Sequence, residues 1–132
     1  MTAFTLSLPY PPSTNRLWRY VNGRAIKSEE YRIWQKEAAQ WLMVQFRAWR
    51  RIDGPYCMSV EAERPDRRRR DLSNLIKATE DCLVDCGVIS DDSLAERIIM
   101  EWSAKEPAKP GLLNIVIRPY SPASPAAVKV AA

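Results

Sequence analysis

The spacing of apolar residues changes abruptly in the middle of the chain. Between Tyr56 and Glu63 they recur at every second position, which is typical of a β-strand with one buried face. From Asp71 to about Cys86 they recur at every third or fourth position, and Gly87 then ends the pattern. The sequence therefore predicts a strand, a loop and an amphipathic helix that packs on the sheet.

Similar patterns on either side predict the remaining elements. Asn22-Gly23 suits the tight turn of a hairpin, and Ser28 suits the N-cap of a long helix with an apolar stripe that includes Phe46 and Trp49. The predicted strands cover residues 4–8, 17–20, 24–27, 56–63, 95–103 and 112–118, and the predicted helices cover 28–50 and 71–86. Strict β-α-β alternation is absent, so we expect an α+β (mixed α/β) two-layer domain, a small mixed β-sheet packed by two main helices. We assign the domain to residues 1–119 and a flexible Pro/Ala-rich tail to 120–132.

The residue types in the chain exclude several kinds of chemistry. The sequence contains no histidine, so a Ser-His-Asp triad and a His-ligated zinc or iron site are impossible. Its three cysteines, Cys57, Cys82 and Cys86, lack the spacing of a thiolate metal site, and the last two lie on the predicted buried stripe as core thiols. With no membrane-length apolar run and no leader pattern, we expect a cytoplasmic protein.

Positive charge is concentrated in one segment. Residues 64–70 hold five arginines and one aspartate, so this segment accounts for the whole formal net charge of +4. Such a patch favours a polyanionic partner, and we expect Arg67, Arg68, Arg69 and Arg70 to contact backbone phosphates. Arg16 lies in a second basic stretch that could extend this surface. The alternative for both stretches is a solvated, or nuclear-localisation-like, polar surface.

Carboxylates flank the predicted second helix. Asp71 opens it, Asp91 and Asp92 follow it, and Lys77 lies on its polar face, one turn from Ser73 and three residues from Asn74. Oxygen ligands of this kind suit Mg²⁺, if the loop 87–92 runs back toward the start of the helix. The alternatives remain open. Asp71 can serve only as an N-cap, Lys77 can form an ion pair with Asp81 four residues later, and Asp91-Asp92 can be a solvated turn.

The motifs resemble the RusA family of Holliday-junction resolvases of bacteria and their phages, over about residues 4–118. They are the opening LPYPPSTNRLWR, the hairpin NGRAIKS, the central PDRRRRDLSNLIKATEDCL and the closing GVISDD. The resemblance implies a homodimer that binds four-way DNA junctions and introduces paired nicks with Mg²⁺ or Mn²⁺. It also implies that Asp71, Lys77 and Asp92, with Asp91 beside the last, are the catalytic residues. On the chemistry of the residues, we expect Asp71, Asp91 and Asp92 to hold the metal and Asn74 to join Arg16 and the four arginines in DNA binding.

One position departs from the family pattern. The family has a second acidic residue two positions after the first, and this chain has Ser73 there. A hydroxyl is a neutral and weaker Mg²⁺ ligand, so the site loses one negative charge. The leading interpretation is a junction-resolving nuclease, and the alternative is a branched-DNA-binding protein with weak or no cleavage. A third interpretation is a basic RNA-binding or ribosome-associated protein.

Overall fold

The computed structural model describes residues 3–45 and 50–122. Within them the chain forms six strands, two α-helices and three short 3₁₀ turns. The strands are β1 (Phe4–Pro9), β2 (Trp18–Val21), β3 (Arg24–Lys27), β4 (Tyr56–Glu63), β5 (Ala95–Trp102) and β6 (Leu112–Pro119), the helices are α1 (Glu29–Gln45) and α2 (Ile76–Asp85), and the 3₁₀ turns are Thr14–Arg16, Leu72–Leu75 and Asp92–Leu94.

Four strands form the main sheet in the order β1-β6-β4-β5. β6 runs antiparallel to both of its neighbours, whereas β5 runs parallel to β4 because α2 crosses between them. β2 and β3 form a separate two-stranded hairpin, with positive φ at Asn22 and Gly23. The predicted α+β fold with a mixed sheet and two helices is confirmed.

The first helix packs where its apolar stripe predicts. The Ser28 hydroxyl oxygen accepts a hydrogen bond from the Tyr31 amide (3.1 Å), so the predicted cap is present. Trp34 is buried and donates its indole N–H to the Pro9 carbonyl oxygen (2.9 Å), which ties α1 to the end of β1. The predicted stripe positions Phe46 and Trp49 lie outside the described residues, as does most of the predicted tail, residues 123–132.

The second helix begins later than the sequence predicts. Asp71 precedes a 3₁₀ turn, Leu72–Leu75, and the α-helix starts only at Ile76. A 3₁₀ turn has three residues per turn instead of 3.6, so the buried face rotates relative to an uninterrupted α-helix. Ile76 is consequently only half-buried, while Ala78 and Glu80 are buried although they lie off the predicted stripe.

The cysteines match the expectation of core thiols. Cys57 and Cys82 are buried, Cys86 is half-buried, and all three are free. Among the described residues, no helix has both the length and the apolar character needed to cross a membrane.

Candidate active site

A cavity of about 810 Å³ lies between the proline-rich loop after β1, the first half of α1 and the arginine segment. Its walls include six of the residues that the sequence analysis singled out: Arg16, Arg68, Arg69, Arg70, Asp71 and Asn74. The Thr14 hydroxyl donates to the Asn74 carbonyl oxygen (2.9 Å), which joins the proline-rich loop to the start of the helical segment. The fold therefore assembles one cavity from three segments that are distant in sequence, and its walls carry four arginines and the three acidic residues Glu30, Glu37 and Asp71.

The four consecutive arginines do not play the same part in this cavity. Arg70 donates to both carboxylate oxygens of Asp66 (3.2 and 2.8 Å), and this bidentate bond is the largest cause of the lowered pKa of Asp66. Arg67 is paired instead with Glu106 (2.7 Å), and Arg68 lies 3.8 Å from Asp66. Arg69 is exposed and forms no hydrogen bond or ion pair with any described residue. Arg70 thus braces the loop, and Arg69 is the most available to a phosphate.

The Tyr10 hydroxyl is an unpaired polar group at the cavity wall. Its oxygen is buried and has no hydrogen-bond partner among the described residues, while Arg70 lies over its ring at 5.5 Å from the centroid. Burial raises the pKa of this phenol, so it remains a neutral donor at physiological pH.

Asp71 faces the cavity, and its carboxylate is not used by the helix that follows. The side chain makes no capping hydrogen bond to the 3₁₀ turn, and it forms no ion pair with a described residue. The simple N-cap alternative therefore does not describe Asp71, which presents an exposed carboxylate beside three arginines.

The loop after α2 brings Asp92 back to α2, the helix that carries Lys77. The loop after α2 runs back because Val88 donates its amide to the Leu83 carbonyl oxygen (2.8 Å) and Ile89 bridges to Ile52. The turn Asp92–Leu94 then packs against α2. The pKa of Lys77 is raised first by its hydrogen bond to Asp81, which lies 3.1 Å away, and further by the negative charge of Asp92. The expected ion pair within the helix is present, and Asp92 acts on the same ammonium group.

Glu80 is a buried carboxylate that sequence reasoning missed. Its side chain is only 8% exposed, and the Tyr56 hydroxyl donates to its Oε2 (2.8 Å). Burial is the main cause of its raised pKa, and the negative charge of Asp92 raises it further. The burial of Glu80 depends on contact with β4, which the local sequence does not show. The one sequence signal for its role was that it lies three residues after Lys77 on the helix.

The carboxylates provide suitable chemistry for a hard divalent cation but no preformed cage. Mg²⁺ commonly takes one or two protein carboxylates and completes its shell with water and phosphate oxygens. Among residues 3–45 and 50–122, no three acidic or thiol side chains are close enough to hold a metal together. Asp71, Asp91 and Asp92 thus do not form such a group within this chain. Asp91 also accepts a hydrogen bond from the Ser93 amide (3.2 Å), which is the largest cause of its lowered pKa.

Comparison with known proteins gives a consistent result. The family model described as endodeoxyribonuclease RusA matches residues 9–117. The chain is 36% identical over 96 residues to the crossover junction endodeoxyribonuclease RusA of Escherichia coli K12, an alignment that covers 70% of this chain and 77% of that protein. The protein of the same name from Enterobacteria phage 82 has the same identity and coverage. The one from Shigella sonnei is 34% identical over 96 residues, again 70% of this chain and 77% of that protein.

Proposed function

The chain belongs to the RusA family of endodeoxyribonucleases, and on this basis we propose that it resolves four-way DNA junctions. In this proposal it is a homodimeric, Mg²⁺-dependent nuclease (Mn²⁺ being an alternative cofactor) that makes paired symmetric nicks during recombination and repair. It acts in the cytoplasm of a bacterial host, where such junctions form. The naming of its bacterial and phage relatives supports the substrate class.

The observation that carries the proposal is the return of Asp92 to Lys77. The turn that begins at Asp92 contacts α2, the helix that carries Lys77, and the negative charge of Asp92 adds to the raised pKa of that lysine, while the residues just before α2 line the cavity. A solvated turn would not require this loop to fold back. In this proposal Asp92 supplies an acidic group for a cation and Lys77 a positive charge for a phosphodiester, at α2 rather than in the wall of the cavity itself.

The residues divide the work between binding and chemistry. Arg68, Arg69 and Arg70 hold backbone phosphates at the cavity, contacts that give affinity without reading sequence. Lys77 is protonated at neutral pH, and Asp81 and Asp92 raise its pKa further, so it would offset negative charge that develops on the phosphate oxygens.

A divalent ion bound through the candidate carboxylates Asp71, Asp91 and Asp92, which do not enclose it as a trio within the described residues, would supply Lewis-acid activation of the phosphate and a more acidic bound water. Waters, phosphate oxygens and the hydroxyl of Ser73 would have to complete its shell, since a carboxylate trio is lacking in the described part of the chain. Two such sites in a dimer match the two strands that must be cut, because a two-fold axis relates both the sites and the strands.

Cleavage of a synthetic four-way junction tests the proposal. With Mg²⁺, the purified protein should produce paired nicks, and Asp71→Asn and Lys77→Ala should lose them while still binding the junction. Competition with linear duplex DNA and with RNA separates junction recognition from general polyanion binding. Nicking that survives Asp71→Asn, or equal binding of all competitors, would reject this proposal.

A second candidate function is junction binding with weak or no cleavage. Ser73 favours it, because this position lacks the family's carboxylate and the described residues contain no alternative trio. Ser73→Asp discriminates between the two candidates. A large gain of metal-dependent cleavage over a silent parent would indicate a degenerate nuclease, and equal activity would show that the hydroxyl suffices.

A further inference from the structure

A buried pair of polar side chains, Tyr56 and Glu80, joins β4 to α2. Among the described residues, Glu80 is the one charged side chain that the core buries, and Tyr56 is fully buried. The tyrosine hydroxyl donates to the glutamate Oε2 over 2.8 Å. Thr79, the neighbouring buried polar residue, bonds instead within its own helical segment, to the Leu75 carbonyl oxygen (2.7 Å). The bond between Tyr56 and Glu80 therefore ties two elements together, and no step of the proposed cleavage uses it.

Each half of the pair belongs to an element that carries or anchors the candidate active site. Glu80 lies three residues after Lys77 on α2, so the two positions are neighbours on the helix. Tyr56 is the first residue of β4 and pairs with Ala95, the first residue of β5. Ala95 directly follows the turn Asp92–Leu94, and that turn contacts α2. The hydrogen bond thus connects the helix of Lys77 with the strand pair that anchors the turn.

The same joint reaches the segment of Asp71. The 3₁₀ turn Leu72–Leu75, which follows Asp71, contacts β5 and runs directly into α2. Burial first, and then the hydrogen bond to its partner, raise the pKa of Tyr56, and the negative charges of Asp92 and Asp91 add to this rise. A change in how α2 lies on β4 and β5 would therefore move the segments of all the candidate carboxylates relative to one another.

The contribution of such a pair is orientation rather than net stability. Taking a carboxylate out of water is costly, and replacing both polar partners by apolar side chains of the same shape is nearly neutral for stability. A hydrogen bond, however, sets a distance and an angle between two elements, whereas apolar contacts alone permit small shifts. In an active site, a misplacement of about 1 Å is enough to slow the reaction by about a hundredfold.

We propose that Glu80 is a positioning residue, which holds α2 against the first residues of β4 and β5 through its hydrogen bond to Tyr56, so that Lys77 and the turn Asp92–Leu94 meet in the geometry that cleavage requires. Glu80 itself touches neither the DNA nor a metal ion. A glutamine would serve in its place, because its side-chain carbonyl oxygen accepts the same hydrogen bond. The inference rests on the proposed function, but it also predicts a change in the protein without DNA or metal.

Single-turnover cleavage of a saturated four-way junction separates positioning from stability and from charge. The double variant Tyr56→Phe with Glu80→Met should keep a urea midpoint close to that of the parent and bind the junction equally well, yet nick it at least about tenfold more slowly. Glu80→Gln should nick within about threefold of the parent, because the bond is kept.

Ile115→Val is the control for stability. It removes a methyl group from the core on β6, opposite Val60 and away from Tyr56, so it should lower the midpoint but cleave like the parent. Full cleavage by the double variant would overturn the proposal. A loss in Glu80→Gln as large as that of the double variant would also overturn it, because the negative charge rather than the hydrogen bond would then be what cleavage needs.

Hydrogen exchange tests the same joint without DNA or metal. The Leu94 amide donates to the Asp91 carbonyl oxygen (3.2 Å), within the turn that the pair is proposed to anchor. This amide should exchange about tenfold or more faster in the double variant, while the amides between β1 and β6 exchange as in the parent and Glu80→Gln matches the parent throughout. Unchanged exchange at Leu94 in the double variant would contradict the positioning role. A parent that nicks no junction would reject the proposed function instead, and the exchange result would then decide this inference alone.

Discussion

Replacing Arg69 with glutamine should make junction binding less sensitive to salt while leaving the arginine loop intact. Arg69 lines the cavity but pairs with no described residue, whereas Arg70 holds Asp66 through two hydrogen bonds. Each phosphate neutralised on duplex DNA contributes about −0.9 to the slope of log affinity against log salt. Raising the salt fourfold therefore costs about 3.5-fold in affinity for each contact.

The structure gives a limit for the whole loop. Arg68, Arg69 and Arg70 line the cavity, whereas Arg67 is directed to Glu106. We expect the triple glutamine variant to reduce the slope by up to about 2.7, and a fully engaged run of four would give about 3.6. Arg69→Gln alone should account for about 0.9 of this change.

Fluorescence anisotropy of a labelled four-way junction, titrated at several salt concentrations, measures these slopes. Arg51→Gln is a matched control, because Arg51 is paired with Asp53 and does not line the cavity. A slope that is unchanged in Arg69→Gln, or reduced equally in Arg51→Gln, would refute the assignment of this cavity to phosphate binding.

Three further predictions concern buried groups and backbone conformation. The pKa of Glu80 is raised in the folded protein, so ionisation of this carboxyl opposes folding. Glu80→Gln should therefore be increasingly more stable than the parent as the pH rises from the ordinary value of 4.5 through the raised pKa. Urea denaturation of both proteins at about pH 4 and about pH 8 measures this difference. Tyr56→Phe should cost about 1–3 kcal/mol in the same assay, because it leaves the buried Glu80 carboxylate without its donor, and an unchanged midpoint would argue against this bond. Gly111→Ala should lower the free energy of unfolding by about 2–4 kcal/mol, and the control Gly23→Ala by about 1 kcal/mol. Both glycines have positive φ, but only at Gly111 would an added Cβ lie 2.9 Å from the Glu63 carbonyl oxygen. Equal thermal midpoints of the two variants would contradict this explanation.

The regular elements could be predicted because their periodicity is local. The strand Tyr56–Glu63 has the same bounds in the structure as in the sequence analysis, since its alternation records one buried and one less buried face. The phase of the second helix could not be predicted, because the 3₁₀ turn before Ile76 rotates the buried face.

The site was only partly predictable for a related reason. Residue types and their order pointed to Asp71, Lys77 and Asp92, but the pairing of Arg67 with Glu106 joins residues 39 positions apart. The burial of Glu80 likewise depends on Tyr56, which is 24 positions away. Such contacts form only when the sheet brings distant segments together, and no local pattern records them.

Junction cleavage by Asp92→Asn is the most direct test of the central claim, that Asp92 and Lys77 form one site after the loop folds back. Asp85→Asn serves as the control, because Asp85 is an exposed carboxylate at the other end of the same helix. With a four-way junction and Mg²⁺, we expect Asp92→Asn to lose paired nicking by at least about a hundredfold while binding is retained, and Asp85→Asn to cleave like the parent. Full cleavage by Asp92→Asn, or an equal loss in Asp85→Asn, would contradict the account.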